Sequence, residues 1–266
     1  MNKFASICYI PPQSVGYPDA FLANLKNFPP VFPCLLFSYA YKNTPGVIPL
    51  RSETFVPPNA KPMALKNLIF FTALRIARQQ GITHLLYLET DCRVGCQRWD
   101  EIIWTEFCHR NEDAICGGTP VIFNPCSWSK KAALRFERYL AETEAVRQFP
   151  IAIAGNQSLG VKHEPTIFTN GALSIYQMDW LLEEFGHHLE HTVQLACNTH
   201  TADYEIGRRL WTEFKEDAYD QVTCLGKVFS TYGDVLSTEA DRKALLTDGT
   251  IVAVHQIKSS WEGPMS

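Results

Sequence analysis

The chain contains no apolar run approaching the roughly 20 residues that a membrane-spanning helix requires. Its start, Met1 to Pro12, holds too short an apolar stretch for a secretion signal, so a soluble cytoplasmic protein is expected. A dominant charge is lacking too: 24 Lys and Arg stand against 28 Asp and Glu, a net charge of −4. That balance gives no bulk field for nucleic acid or an anionic membrane, and leaves only a local basic groove as a route to nucleic acid. The nine cysteines include no paired Cys-x-x-Cys. An odd count without a secretion signal suggests reduced thiols, mostly small buried hydrophobes. Cys92, Cys96, Cys108, His109 and Cys116 can be drawn as a zinc site, but their spacing fits free thiols better. Repeats, low-complexity tracts and linkers are absent as well, so one domain spanning 1–266 is expected.

What is present is ordinary for a soluble enzyme: 46% hydrophobic and 20% charged residues, in a chain long enough for a large core. Apolar strand-like runs alternate with amphipathic helical patterns, which predicts α/β layering. Strands are expected at 4–10, 34–39, within the run 83–93, and at 113–123, 167–176 and 251–255. Helices are expected at 17–27, 63–80, 100–110, 130–147, 178–185 and 202–215, with Pro29-Pro30 and Gly81 as stops. A loop rich in proline and polar residues covers 43–62.

The most informative segment is Thr83-His-Leu-Leu-Tyr-Leu-Glu-Thr-Asp-Cys-Arg93, an apolar run that stops on two carboxylates. Open α/β sheets place their ligands at the carboxyl ends of their strands. Glu89 and Asp91 are two apart, so on a strand they face the same side. Hard oxygen ligands suit Mg²⁺ or Mn²⁺, and such ions suit a diphosphate. The plainer alternative is that both acids cap the helix that follows. In Phe168-Thr-Asn-Gly-Ala-Leu-Ser-Ile-Tyr176, Gly171 and Ala172 inside an apolar strand allow a ligand or another backbone to approach closely. Asp203 opens a helix, either as an N-cap or as a carboxylate placed to take a proton from a hydroxyl. His255 at a late strand end can offer a nitrogen to the same metal, and Lys258 can meet phosphate oxygens. His187, His188, His191 and His200 read as a solvated helix end and loop.

The order of these pieces resembles the GT-A-fold nucleotide-sugar glycosyltransferases. Leu88-Glu-Thr-Asp91 stands where that family has its DxD element, with Glu89 in place of the usual first Asp. Ala202-Asp-Tyr-Glu-Ile-Gly-Arg-Arg-Leu210 is similar to the family's E-D-x-x-L-G-x-R-L run, with Ala202 in place of an acidic residue. The resemblance covers roughly residues 1 to 260, carried by short motifs. It implies a GT-A-like, Rossmann-related sandwich with a central, mostly parallel sheet flanked by helices. Residues 1 to about 125 would bind the nucleotide sugar and 126–266 the acceptor. Asp91 and His255 would hold Mn²⁺ or Mg²⁺, and Asp203 would be the base of an inverting transfer. Pro11, Lys66, Glu89, Asp91, Gly171 and Lys258 would contact the donor, a UDP-sugar for preference. The acceptor stays open: a glycan, a protein, a small molecule or a modified DNA base. Trp128, Trp180, Trp211 and Trp261 are candidates for stacking, and Lys130, Lys131, Arg135 and Arg138 for a basic groove. A metal-dependent hydrolase or nucleotidyltransferase, and a non-catalytic nucleotide-sugar binder, are the rival readings; the first would need a second acidic pair for two metals.

Overall fold

The computed structural model describes residues 3–10, 17–38, 47–49, 70, 74–123, 130–146, 152–154, 166–185, 202–230 and 238–257. Seven strands build the central sheet: β1 (Phe4–Ile10), β2 (Cys34–Ser38), β3 (Val47–Pro49), β4 (His84–Leu88), β6 (Cys116–Gly118), β10 (Ser174–Gln177) and β11 (Val222–Cys224). Their order is β11-β6-β10-β4-β1-β2-β3. β10 alone runs against its neighbours; the remaining pairs are parallel. The expected α/β architecture with a mostly parallel central sheet is therefore what the chain adopts. Strands from the first and second halves of the sequence interleave, since β10 lies between β4 and β6.

The alternation of β1 and β4 explains why both are apolar but for Ser6 and His84. Phe4 and Cys8 of β1, with Leu86 and Leu88 of β4, pack toward α1 (Tyr17–Asn27) and α2 (Trp99–Asn111). Ala5, Ile7, Leu85 and Tyr87 pack on the other side, against Leu74 and Ala77, α4 (Met178–Phe185) and α5 (Ala202–Phe214). A parallel strand covered on both faces has no polar side to show. Each such large side chain contributes about 1.5–3 kcal/mol through its removal from water. The helix holding Leu74 and Ala77 ends as expected at Gly81, whose φ of 76° suits a residue without a Cβ. No helix among the described residues is long and apolar enough to cross a membrane.

Two segments expected as single strands are each two. Residues 113–123 divide into β6 and β7 (Pro120–Phe123), and 167–176 into β9 (Thr166–Thr169) and β10. β7 and β9 pair in a second sheet with β8 (Ala152–Ala154), whereas β6 and β10 belong to the central one. The chain changes sheet between them, at Thr119 and at 170–173, where Leu173 takes a φ of 59°. Gly171 thus sits in a loop between strands and not inside one. A third small sheet, β12 (Val228–Phe229), β13 (Ala253–Val254) and β5 (Arg93–Val94), closes the end of the molecule beyond β4. The remaining helices are α3 (Lys130–Glu144) and α6 (Glu239–Thr247), with a 3-10 turn over Lys215–Gln221.

Candidate metal centre

β4 ends at Leu88, and the next four residues form a tight turn in which the Cys92 N–H donates to the Glu89 carbonyl at 2.9 Å. The Glu89 N–H in turn points at Cys92 Sγ, 3.3 Å away. Arg93, with no exposed surface, donates from one guanidinium nitrogen to the Thr90 and Cys92 carbonyls at 2.8 and 2.7 Å. A buried cation thus holds the turn from below. β5 follows at once and pairs antiparallel with β13, Arg93 opposite Val254. The pairing is extended at both ends by Gly95 N–H to Val252 O at 3.0 Å and Ile257 N–H to Asp91 O at 2.8 Å. Asn24 on α1 grips the outer edge of β5, exchanging two bonds with the Val94 backbone at 2.9 and 2.8 Å.

That register brings His255 to the two acids. His255 Nε2 lies 3.2 Å from Asp91 Oδ1 and 3.8 Å from Glu89 Oε2. One ligand atom from each residue falls within 4.8 Å of the others. Among the described residues this is the one group of three or more His, Cys, Asp and Glu side chains that converges so closely. Burial disfavours the charged imidazole, but the hydrogen bonds and charges of Asp91 and Glu89 outweigh it and raise His255 to about 9. Two carboxylates therefore hold a proton where the donor set suits a hard divalent ion: two carboxylate oxygens and one imidazole nitrogen. The plain capping alternative fails on position, because α2 begins ten residues after Glu89 and its first turn is served by Asp100 and Glu101.

Gly171 and Asp203 are brought together at the same strand end. The Leu173 N–H donates to Tyr87 O at 2.9 Å, which lays the 170–173 loop beside the last residues of β4. Asp203 is buried in the first turn of α5. Its Oδ2 accepts the Gly171 N–H at 3.1 Å and its Oδ1 accepts the Tyr204 N–H at 3.0 Å. A Cβ at 171 would lie 3.2 Å from Asp203 Oδ2. The glycine is therefore used for close approach, to a carboxylate of its own chain. Pro11, Lys66 and Lys258 lie outside the described residues, as do Trp128, Trp261 and His187, His188, His191 and His200.

Other expectations resolve locally. Cys92 belongs to one core cluster and Cys116 to the other, and burial raises both thiols well above their usual range. They are protonated packing residues. Trp180 donates to Glu213 at 2.9 Å and Trp211 packs edge-on against Tyr219. Arg135 holds Asp220 and Asp217 at 2.6 and 2.8 Å, and Arg138 holds Glu142 at 2.8 Å. The two arginines of the basic face of α3 are thus already answered by carboxylates. Sequence reasoning passed over Ser230, whose hydroxyl lies 3.0 Å from His255 Nδ1, and Thr119 behind it. A single serine after a two-residue strand carries no local signal.

No family model matches this chain, and no curated protein does. Solved structures do. A glycosyltransferase involved in the glycosylation of the major capsid of PBCV-1 aligns with a TM-score of 0.48 at 10% identity, over 98% of this chain and 96% of that one. The apo structure of the bifunctional glycosyltransferase WbbM aligns with a TM-score of 0.48 at 8% identity, over 96% of this chain. The present chain spans 46% of WbbM.

Proposed function

We propose that the chain is one catalytic domain, a metal-assisted glycosyltransferase that moves a sugar from a nucleoside-diphosphate sugar to an acceptor hydroxyl. The observation that carries this reading is the convergence of Asp91, Glu89 and His255 at the carboxyl end of β4. Asp203 is moored through Gly171 to the loop beside that strand end. Asp91 and His255 would hold Mn²⁺ or Mg²⁺ with Glu89 in support, and the bound ion would supply Lewis-acid stabilisation of the leaving diphosphate. Asp203 takes the proton of the acceptor hydroxyl. The backbone N–H groups of Gly171 and Tyr204 each donate to one of its oxygens, which fixes the plane of the carboxylate. Attack from the Asp203 side, opposite the diphosphate, inverts the anomeric centre. Pro11, Lys66 and Lys258 are assigned to the donor, a UDP-sugar for preference, and the cytoplasm is the location that goes with this reading.

A modified DNA base is the least supported acceptor, because Arg135 and Arg138 already hold carboxylates. A two-metal hydrolase or nucleotidyltransferase needs a second acidic group, and the described residues form one cluster. The test is a thermal-shift screen of nucleotide sugars with and without Mn²⁺, followed by assay of nucleoside diphosphate release. A donor that stabilises only with metal, and is cleaved to its nucleoside diphosphate, supports the transferase. Metal-independent binding without turnover in the presence of varied acceptors overturns it.

A further inference from the structure

We propose that Ser230, backed by Thr119, is the positioning residue that aims His255 at the ion. The inference rests on the metal-assisted reading above. Ser230 is buried directly after β12, and its Oγ lies 3.0 Å from His255 Nδ1. The contact is built by register: β12 and β13 are parallel, and the His255 N–H donates to Phe229 O at 2.9 Å. The ring therefore lies against Ser230 whenever the small sheet is formed.

The chemistry fixes the direction of this bond. An imidazole that ligates through the Nε2 lone pair carries its one proton on Nδ1. Nδ1–H must then donate, and the Ser230 hydroxyl oxygen accepts. Without that acceptor, the ring's plane and tautomer are set only by Asp91 and Glu89, the groups an ion would engage. An outer partner of this kind orients a ligand and favours one tautomer.

Ser230 is itself held from behind. Its N–H donates to Thr119 Oγ1 at 3.1 Å, and Thr119 O accepts the Asn170 N–H at 2.9 Å. Gly171, the next residue, donates to Asp203. Thr119 lies where the chain leaves β6 of the central sheet for β7 of the second, so both sheets fix it. One hydrogen-bonded path thus joins the imidazole of the metal centre to the carboxylate assigned as base. Neither hydroxyl needs to touch donor or acceptor to serve this purpose.

The experiment measures Mn²⁺ affinity by calorimetry, and ¹⁴N coupling to bound Mn²⁺ by electron spin-echo spectroscopy, on the full chain. Ser230→Ala is expected to bind Mn²⁺ about 10–100-fold more weakly with diminished ¹⁴N coupling. Its melting temperature in chelator should stay near that of the parent protein. Ser230→Thr, which keeps the hydroxyl, restores affinity to within a few-fold. Thr119→Val, nearly isosteric, weakens binding in the same direction and serves as second probe if Ser230→Ala folds poorly. Ser230→Ala added to His255→Ala is expected to cost nothing further, because Ser230 acts through that ring. Parent-like affinity in both Ser230→Ala and Thr119→Val overturns the inference and leaves the metal reading standing, as does full additivity with His255→Ala. Absence of Mn²⁺ binding by the parent protein overturns both.

Discussion

Gly207 lies one turn into α5, where the helix crosses β9, and Gly207→Ala sets two effects against each other. Helix propensity alone favours alanine by about 1 kcal/mol in a helix interior. The structure leaves no room for it. A Cβ at 207 would stand 2.7 Å from Thr166 Cγ2, 2.8 Å from Ile167 O and 2.8 Å from Phe168 Cβ. Two of those atoms are a backbone carbonyl and a Cβ of a paired strand, and neither can swing aside. Accommodation requires α5 to withdraw from β9, and overpacking of this kind costs about 1–3 kcal/mol. At the middle of that range steric cost wins by about 1 kcal/mol, which for a chain of this size lowers the melting temperature by about 2–4 °C. Asp203 rides on the first turn of the same helix, so its bond from Gly171 should stretch and turnover should fall. Differential scanning calorimetry in the presence of chelator reads the first effect and steady-state turnover the second. A melting temperature equal to or above that of the parent would refute the packing argument.

Asp91→Asn removes the carboxylate closest to His255, the proposed metal ligand, and is expected to abolish Mn²⁺-dependent thermal stabilisation; retention of the full shift would remove Asp91 from the site. Asp203→Asn should keep the fold and Mn²⁺ affinity while slowing sugar transfer by about 10²–10⁴-fold, the usual worth of a general base. Unchanged turnover in that variant, with donor bound normally, would give the proton to another group. In chelator, His255 is raised to about 9 in the folded protein from an ordinary 6.5, so its contribution to stability is fully present below pH 6.5 and fades as pH rises through 9. Urea midpoints across pH 6 to 10 should show that decline in the parent and not in His255→Ala, and an identical slope in the two proteins would contradict it.

The parts of this molecule that could be read in advance are those whose signal is local. β1 and β4 announce themselves as continuous apolar runs, and Glu89 and Asp91 stand out because charge follows such a run abruptly. The helix over 17–27 is bracketed by prolines at both ends. What escaped notice depends on partners far along the chain. The segment 167–176 reads as one strand despite Thr169, Asn170 and Ser174, yet its halves join different sheets, and the pairing with β7 and with β4 sets the break at 170–173. β5, β12 and β13 hold two residues each, too few to display a period of two. α6 carried a readable sign, a capping box in which Thr238 and Asp241 exchange bonds. Thr119 and Ser230 are ordinary hydroxyl residues until the register of two sheets sets them in line with His255.

The small sheet of β5, β12 and β13 has a bearing on when this protein becomes competent. The turn carrying Glu89 and Asp91 is held locally by the Cys92 N–H and by Arg93, but the Ile257 N–H that Asp91 O accepts, and the imidazole itself, arrive only with one of the last described segments. Neither carboxylate has its third partner while the chain is still partly made or partly folded. A divalent ion meeting an unfinished chain would find only two acids at the end of one strand. On the proposed metal-assisted reading, tight loading would double as a sign that the turn after β4 and the late segment around His255 have met, and metal retention would gauge native assembly.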